Sequence, residues 1–127
     1  MAGEGRAAGA RAAIASARAD ATGQVASLTR QWTGIVEASA LSTGDDEHDP
    51  EGATIAFERA QVQGMLDQAR TDLADLDRAD LRVAEGTYWT CVRCGGPIAE
   101  DRLAALPGTL TCITCARSAA GARRGSG

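Results

Sequence analysis

Four cysteines carry the clearest chemistry in this chain. Cys91 and Cys94 stand in "CVRCGG" and Cys112 and Cys115 in "CITC", a C-x2-C-x17-C-x2-C spacing. Two thiolates separated by two residues reach one ion from a tight turn, and Gly95 and Gly96 supply the backbone freedom that turn needs. Two such pairs complete a closed tetrahedral shell with no position for water or substrate. The spacing therefore predicts one structural Zn2+ per chain, held by Cys91, Cys94, Cys112 and Cys115. Two other uses of these residues compete with zinc. Disulfides need an oxidising compartment, and the N-terminus "MAGEGRAAGARAA" lacks the apolar core of a secretory signal. A redox C-x-x-C needs a βαβ setting that the sequence does not offer. The segment around the cysteines is too short for a core of its own, so metal binding is expected to supply its folding energy. Leu103, Leu106 and Ile113 are its expected apolar core, with Tyr88 and Trp89 packing it onto the preceding helix.

A second cluster is acidic. "TGDDEHDPEG", residues 43–52, holds five carboxylates and the chain's single histidine. Asp45, Asp46, Glu47, His48, Asp49 and Glu51 are the candidates here. Carboxylates can hold Mg2+ and activate water, yet an acidic loop is ordinarily just solvated. A lone loop histidine invites an acid–base role, and its default state is simple exposure.

Helices must position both clusters. Alternating steps of four and three residues visit Ile14, Arg18, Ala21, Val25, Leu28, Trp32, Ile35, Ser39 and Ser42. The same stepping visits Ile55, Arg59, Val62, Leu66, Ala69, Leu73, Leu76, Asp80 and Val83. The mean step of about 3.5 is the coiled-coil period. Asp49-Pro50 fits a helix start and Gly86 a helix end. Gly23 and Gly34 weaken the first helix by about 1 kcal/mol each relative to alanine. The expected fold is mainly α: a long antiparallel helical hairpin, a coiled coil, with a C-terminal four-cysteine zinc finger and a short C-terminal helix. The expected boundaries are a disordered N-terminus over 1–9, the hairpin over 10–85 with its acidic tip at 43–52, the finger and short helix over 86–120, and a flexible tail over 121–127. Each helix would be about 45–50 Å long, making a thin rod with the acidic turn at its far end.

Composition narrows the function. Leu, Ile, Val and Phe supply only 20 of 127 residues, too few for a large globular core. No run of 18 apolar residues exists, so no membrane span is expected. The formal charge of −4 is uneven. Residues 1–44 carry four Arg against three acids, 45–85 four against twelve, and 86–127 five against two. A duplex-DNA binder places Arg and Lys on its main contact surface; here the hairpin repels phosphate, and no specific DNA binding is expected.

"GTYWTCVRCGGPIAEDRLAALPGTLTCITCA" resembles the finger of the DksA/TraR family of bacterial RNA polymerase-binding regulators. The matching residues are Gly86, Tyr88, Cys91, Cys94, Gly95, Ile98, Arg102, Leu103, Ala105, Pro107, Cys112 and Cys115. The resemblance covers the last third, and the preceding hairpin fits the family's coiled coil in length and placement. It implies a cytoplasmic, monomeric transcription regulator that is not an enzyme. Such a protein binds RNA polymerase rather than DNA and inserts its acidic tip into the secondary channel. It also implies that finger arginines, here Arg93, Arg102 and Arg117, meet the channel rim. At the tip the family carries Asp-x-x-Asp-x-Ala; here Gly52 replaces the second Asp and Thr54 the Ala. The resemblance thus carries over binding, and not the direction of regulation or sensitivity to guanosine tetraphosphate. The alternatives are a transcript-cleavage-like factor using the tip carboxylates, or a zinc module contacting protein or nucleic acid through Arg117, Arg123 and Arg124.

Overall fold

Alanine and other strong helix formers dominate the first two-thirds of the chain, and its described residues are helical. The computed structural model describes residues 2–41 and 50–125, with side chains described for 3–40 and 52–119. Among these residues four helices follow in order: α1 (Ala2–Leu41), α2 (Pro50–Glu85), α3 (Glu100–Ala105) and α4 (Ile113–Gly125). Among the described residues there is no strand, only an isolated antiparallel bridge between Thr90 and Pro97. Pro50 opens α2, where its missing N–H would have had no partner. Gly86, at φ 82°, closes it. Its N–H donates to Val83 O at 3.2 Å, and Thr87 N–H donates to Arg82 O at 2.9 Å; this pair of bonds is a Schellman cap.

The 3.5-residue stepping marks the buried seam. On α1, Ile14, Ala21 and Leu28 are buried, with Arg18 and Val25 half-buried between them and Trp32 and Ile35 half-buried beyond them. On α2, Val62, Leu66, Ala69, Leu76 and Val83 are buried. Arg59 is the exposed exception. Its guanidinium lies 5.1 Å from the Trp32 ring centroid and covers the indole from outside by a cation–π contact.

The chain divides into two compact units, Ala19–Leu73 and the combination of Met1–Arg18 with Ala74–Gly127. In the first, Leu28, Val62 and Leu66 form the core, flanked by Val25, Trp32 and Ile35. As numbers rise along α1 their partners on α2 fall, so the helices run antiparallel. In the second, Ala10, Ile14, Leu76, Ala79 and Val83 join Tyr88, Cys91, Ile98 and Leu103 in one cluster. Arg18 flanks it, donating to Asp77 at 2.6 Å and Asp80 at 3.0 Å. Such part-exposed pairs are worth about 0–1 kcal/mol. Burying one Ile or Leu is worth about 1.5–3 kcal/mol, so the apolar contacts dominate.

Three sequence expectations are corrected. Residues 1–9 were expected to be disordered, yet α1 starts at Ala2. The alanines favour helix, Ala7 and Ala10 pack against the finger's core cluster, and Arg6 pairs with Glu100 at 3.3 Å. The tail expected over 121–127 is helical up to Gly125, because "ARSAAGARR" continues the helix with good formers. Finally, of the three residues expected to form the finger's core, only Leu103 is buried. Leu106 is 50% exposed and Ile113 45%. Tyr88, Ile98 and Cys91 fill that space instead, each no more than 2% exposed.

Candidate metal centre

The first cysteine pair sits in a loop folded by its own backbone. Cys91 N–H donates to Gly96 O at 2.8 Å and Gly95 N–H to Cys91 O at 3.0 Å. Ile98 N–H donates to Trp89 O at 2.8 Å, which holds the two arms together. Gly95 turns the chain at φ 74°, a conformation side chains resist. Gly96 N–H then points at Cys94 Sγ, 3.4 Å away.

The second pair straddles the start of α4. Cys115 N–H lies 3.5 Å from Cys112 Sγ, and Ala116 N–H donates to Cys112 O at 3.0 Å. Val92 N–H donates to Leu110 O at 3.0 Å and draws the two loops side by side.

The four Sγ atoms of Cys91, Cys94, Cys112 and Cys115 all lie within 4.8 Å of one another. Cys94 Sγ and Cys112 Sγ are 3.8 Å apart. A tetrahedral Zn2+ with Zn–S bonds of about 2.3 Å has an S–S edge of about 3.8 Å. The residues therefore fit the ion, and the 3.8 Å approach is read as the edge of a coordination shell. Four thiolates leave no open position, so the zinc is structural.

The thiols' acidities show what the ion must do. The Cys94 backbone N–H, hydrogen-bonded to Cys91, pulls the Cys91 thiol down to about 6. The Cys115 N–H lowers Cys112 in the same way. Cys115 is pushed up to about 12, first through its side-chain hydrogen bond with Cys112. Without a cation the crowded sulfurs keep a proton, and zinc displaces it on binding.

Tyr88 locks the finger from behind. Its hydroxyl donates to Pro107 O at 2.9 Å, and its ring meets Trp89 edge-on at 5.3 Å. Burial pushes its pKa above the usual phenol value, and the positive charge of Arg82 partly offsets this. Arg6 stacks on Trp89 at 4.4 Å. Gly108 lets the 106–109 turn approach α2: a side-chain carbon there would meet Asp75 Cβ at 3.3 Å.

The other sequence candidates fall as follows. Asp45, Asp46, Glu47, His48 and Asp49 lie outside the described residues, and Glu51 is in the first turn of α2 with its side chain outside them. Arg93 and Arg117 are exposed. Arg102 is half-buried and donates through Nε to Thr111 O at 2.8 Å. The sequence reading missed Arg82, which bonds the loop before Cys91. A basic residue in the last turn of α2 was the only signal for it. Among the described residues, no helix is long and apolar enough to cross a membrane.

Comparison with known proteins agrees with this geometry. Residues 86–119 match the family described as the prokaryotic dksA/traR C4-type zinc finger. General stress protein 16O of Bacillus subtilis is 32% identical over 71 residues, covering 56% of this chain and 44% of that protein. An uncharacterised protein of Aquifex aeolicus is 46% identical over 44 residues, covering 35% of this chain and 30% of that one. The matches thus span less than half the length of either relative. The structure of transcription factor DksA2 from Pseudomonas aeruginosa superimposes with a TM-score of 0.51 at 24% identity, covering 89% of this chain and 87% of that one. At that identity the likeness is one of fold.

Proposed function

From the match of residues 86–119 to the dksA/traR C4-type zinc finger, we propose that this chain is a member of the DksA/TraR family and regulates transcription by binding RNA polymerase directly. The observation that carries the reading is a family finger joined through α2 to an interhelical segment dense in carboxylates. On this reading the acidic residues Asp45, Asp46, Glu47, Asp49 and Glu51, with His48, enter the secondary channel and act near the catalytic region. Their charge alters the stability of promoter complexes without a covalent step, so the protein is not an enzyme. The zinc holds the finger rigid and takes no part in chemistry. The exposed Arg93 and Arg117 suit contact with the channel rim. The site of action is the cytoplasm, and a monomer suffices.

A pull-down with purified core RNA polymerase tests this, paired with transcription from a regulated promoter. The chain should bind, and should compete with another secondary-channel factor. Deleting residues 45–52 should leave binding largely intact and abolish the transcriptional effect. Absence of binding by the zinc-loaded protein would refute the reading. Regulation that survives the deletion would refute the assignment of the acidic segment.

A further inference from the structure

The two halves of the metal centre share a feature that their cysteine spacing does not require. A threonine precedes the first cysteine of each pair: Thr90 before Cys91, and Thr111 before Cys112. In both, the threonine's backbone carbonyl accepts a hydrogen bond from an arginine on a helix. Arg82, in the last turn of α2, donates through Nη2 to Thr90 O at 2.5 Å and to Thr87 O at 2.7 Å. Arg102, on α3, donates through Nε to Thr111 O at 2.8 Å, and its Nη2 reaches Thr109 Oγ1 at 3.3 Å. Both side chains belong to half-buried residues. Arg82 keeps its contacts even though its Nη1 is buried without a hydrogen-bond partner. A side chain with no contact worth keeping would escape that cost by turning outward.

Charged donors form stronger bonds than neutral ones, and each guanidinium reaches two acceptors, Arg82 through Nη2 alone and Arg102 through Nε and Nη2. A carbonyl gripped in this way fixes the plane of the peptide that leads into the next residue. Here the next residue is a metal ligand, so the grip fixes the N–Cα bond from which its side chain is carried.

We propose that Arg82 and Arg102 are paired positioning residues of the metal centre, each aiming one cysteine pair by holding the peptide that enters it. Charge adds to the effect: four thiolates around Zn2+ leave about two net negative charges, which two guanidinium groups oppose. The assignment also separates Arg102 from Arg93 and Arg117, with which the family resemblance grouped it. Those two are exposed, whereas the donors of Arg102 are engaged inside the finger.

The test uses the full chain loaded with Zn2+ and challenged with an excess of a chromogenic chelator. Cobalt-substituted samples report ligand geometry through their d–d bands. Arg82→Met and Arg102→Met should each release zinc about tenfold faster than the unaltered protein and shift the cobalt bands. Arg82→Lys and Arg102→Lys, which keep the charge and one donor, should recover part of that loss. Arg93→Ala, which removes an exposed cation from within the first cysteine pair, should release zinc at the unaltered rate. Unchanged release and spectra in both Met variants would overturn the proposal. So would an equal acceleration in Arg93→Ala, which would point to general charge. If a Met variant fails to retain zinc, the Lys variants decide: wholly unaltered release and cobalt bands in both would show that the guanidinium grip is not required and overturn the positioning role.

Discussion

Cys91 and Cys115 answer protons in opposite ways. In the metal-free finger, Cys91 sits at about 6 and Cys115 at about 12. At neutral pH the first is largely ionised and the second holds its proton, which zinc must displace. Binding therefore releases protons, and affinity falls as pH falls. Below about pH 6 Cys91 also protonates in the metal-free state, so one more proton competes. The expected plot of log affinity against pH has a positive slope that steepens below about 6, as read by chelator competition. A flat response between roughly pH 5 and 8 would contradict this picture of the thiols.

At the scale of the element, the long helices are weaker than their packing allows. Gly23 lies in α1 and Gly64 in α2, both exposed. A side-chain carbon at either would meet nothing within 4 Å. Gly23→Ala and Gly64→Ala should each stabilise the protein by about 0.5–1 kcal/mol, seen as a rise in thermal midpoint with unchanged zinc content. These helices were also the most legible part of the sequence. A period of about 3.5 in apolar residues is a local signal, and it marked Ile14, Leu28, Val62, Leu66 and Val83 as buried. The cysteine spacing was legible for the same reason: one ion constrains four positions. The interior of the finger was not. Leu106 and Ile113 look like core by hydropathy alone. Which of Tyr88, Ile98, Leu106 and Ile113 faces inward depends on where the 96–111 loop turns, and no short-range pattern records that. Arg82 and Arg102 were opaque too, since a carbonyl acceptor leaves no mark on side-chain identity. The start of α1 was misjudged because glycine-rich, alanine-rich residues give little sign of packing until a distant partner is known.

For the molecule as a whole, the two units should differ in their dependence on metal. The core of the unit made from Met1–Arg18 and Ala74–Gly127 includes Cys91, with Cys112 and Cys115 packed against it. The unit Ala19–Leu73 contains no cysteine. Stripping zinc with a chelator should therefore raise amide hydrogen exchange in residues 86–119 and, through the shared core, in residues 3–18. Protection along 19–40 and 52–73 should change much less. Uniform loss of protection would show that the two units unfold together.

The seating of Ile14 beside Tyr88, Ile98 and Leu103 bears on any attempt to borrow this finger for another scaffold. The stretch that matches the dksA/traR C4-type zinc finger, residues 86–119, is smaller than the piece that keeps its own greasy side dry. Excised alone, it would turn a tyrosine, an isoleucine and a leucine toward water and invite clumping. A transplant would have to bring along a turn or two from each of the first two helices, although the turns from α1 lie far away in the chain.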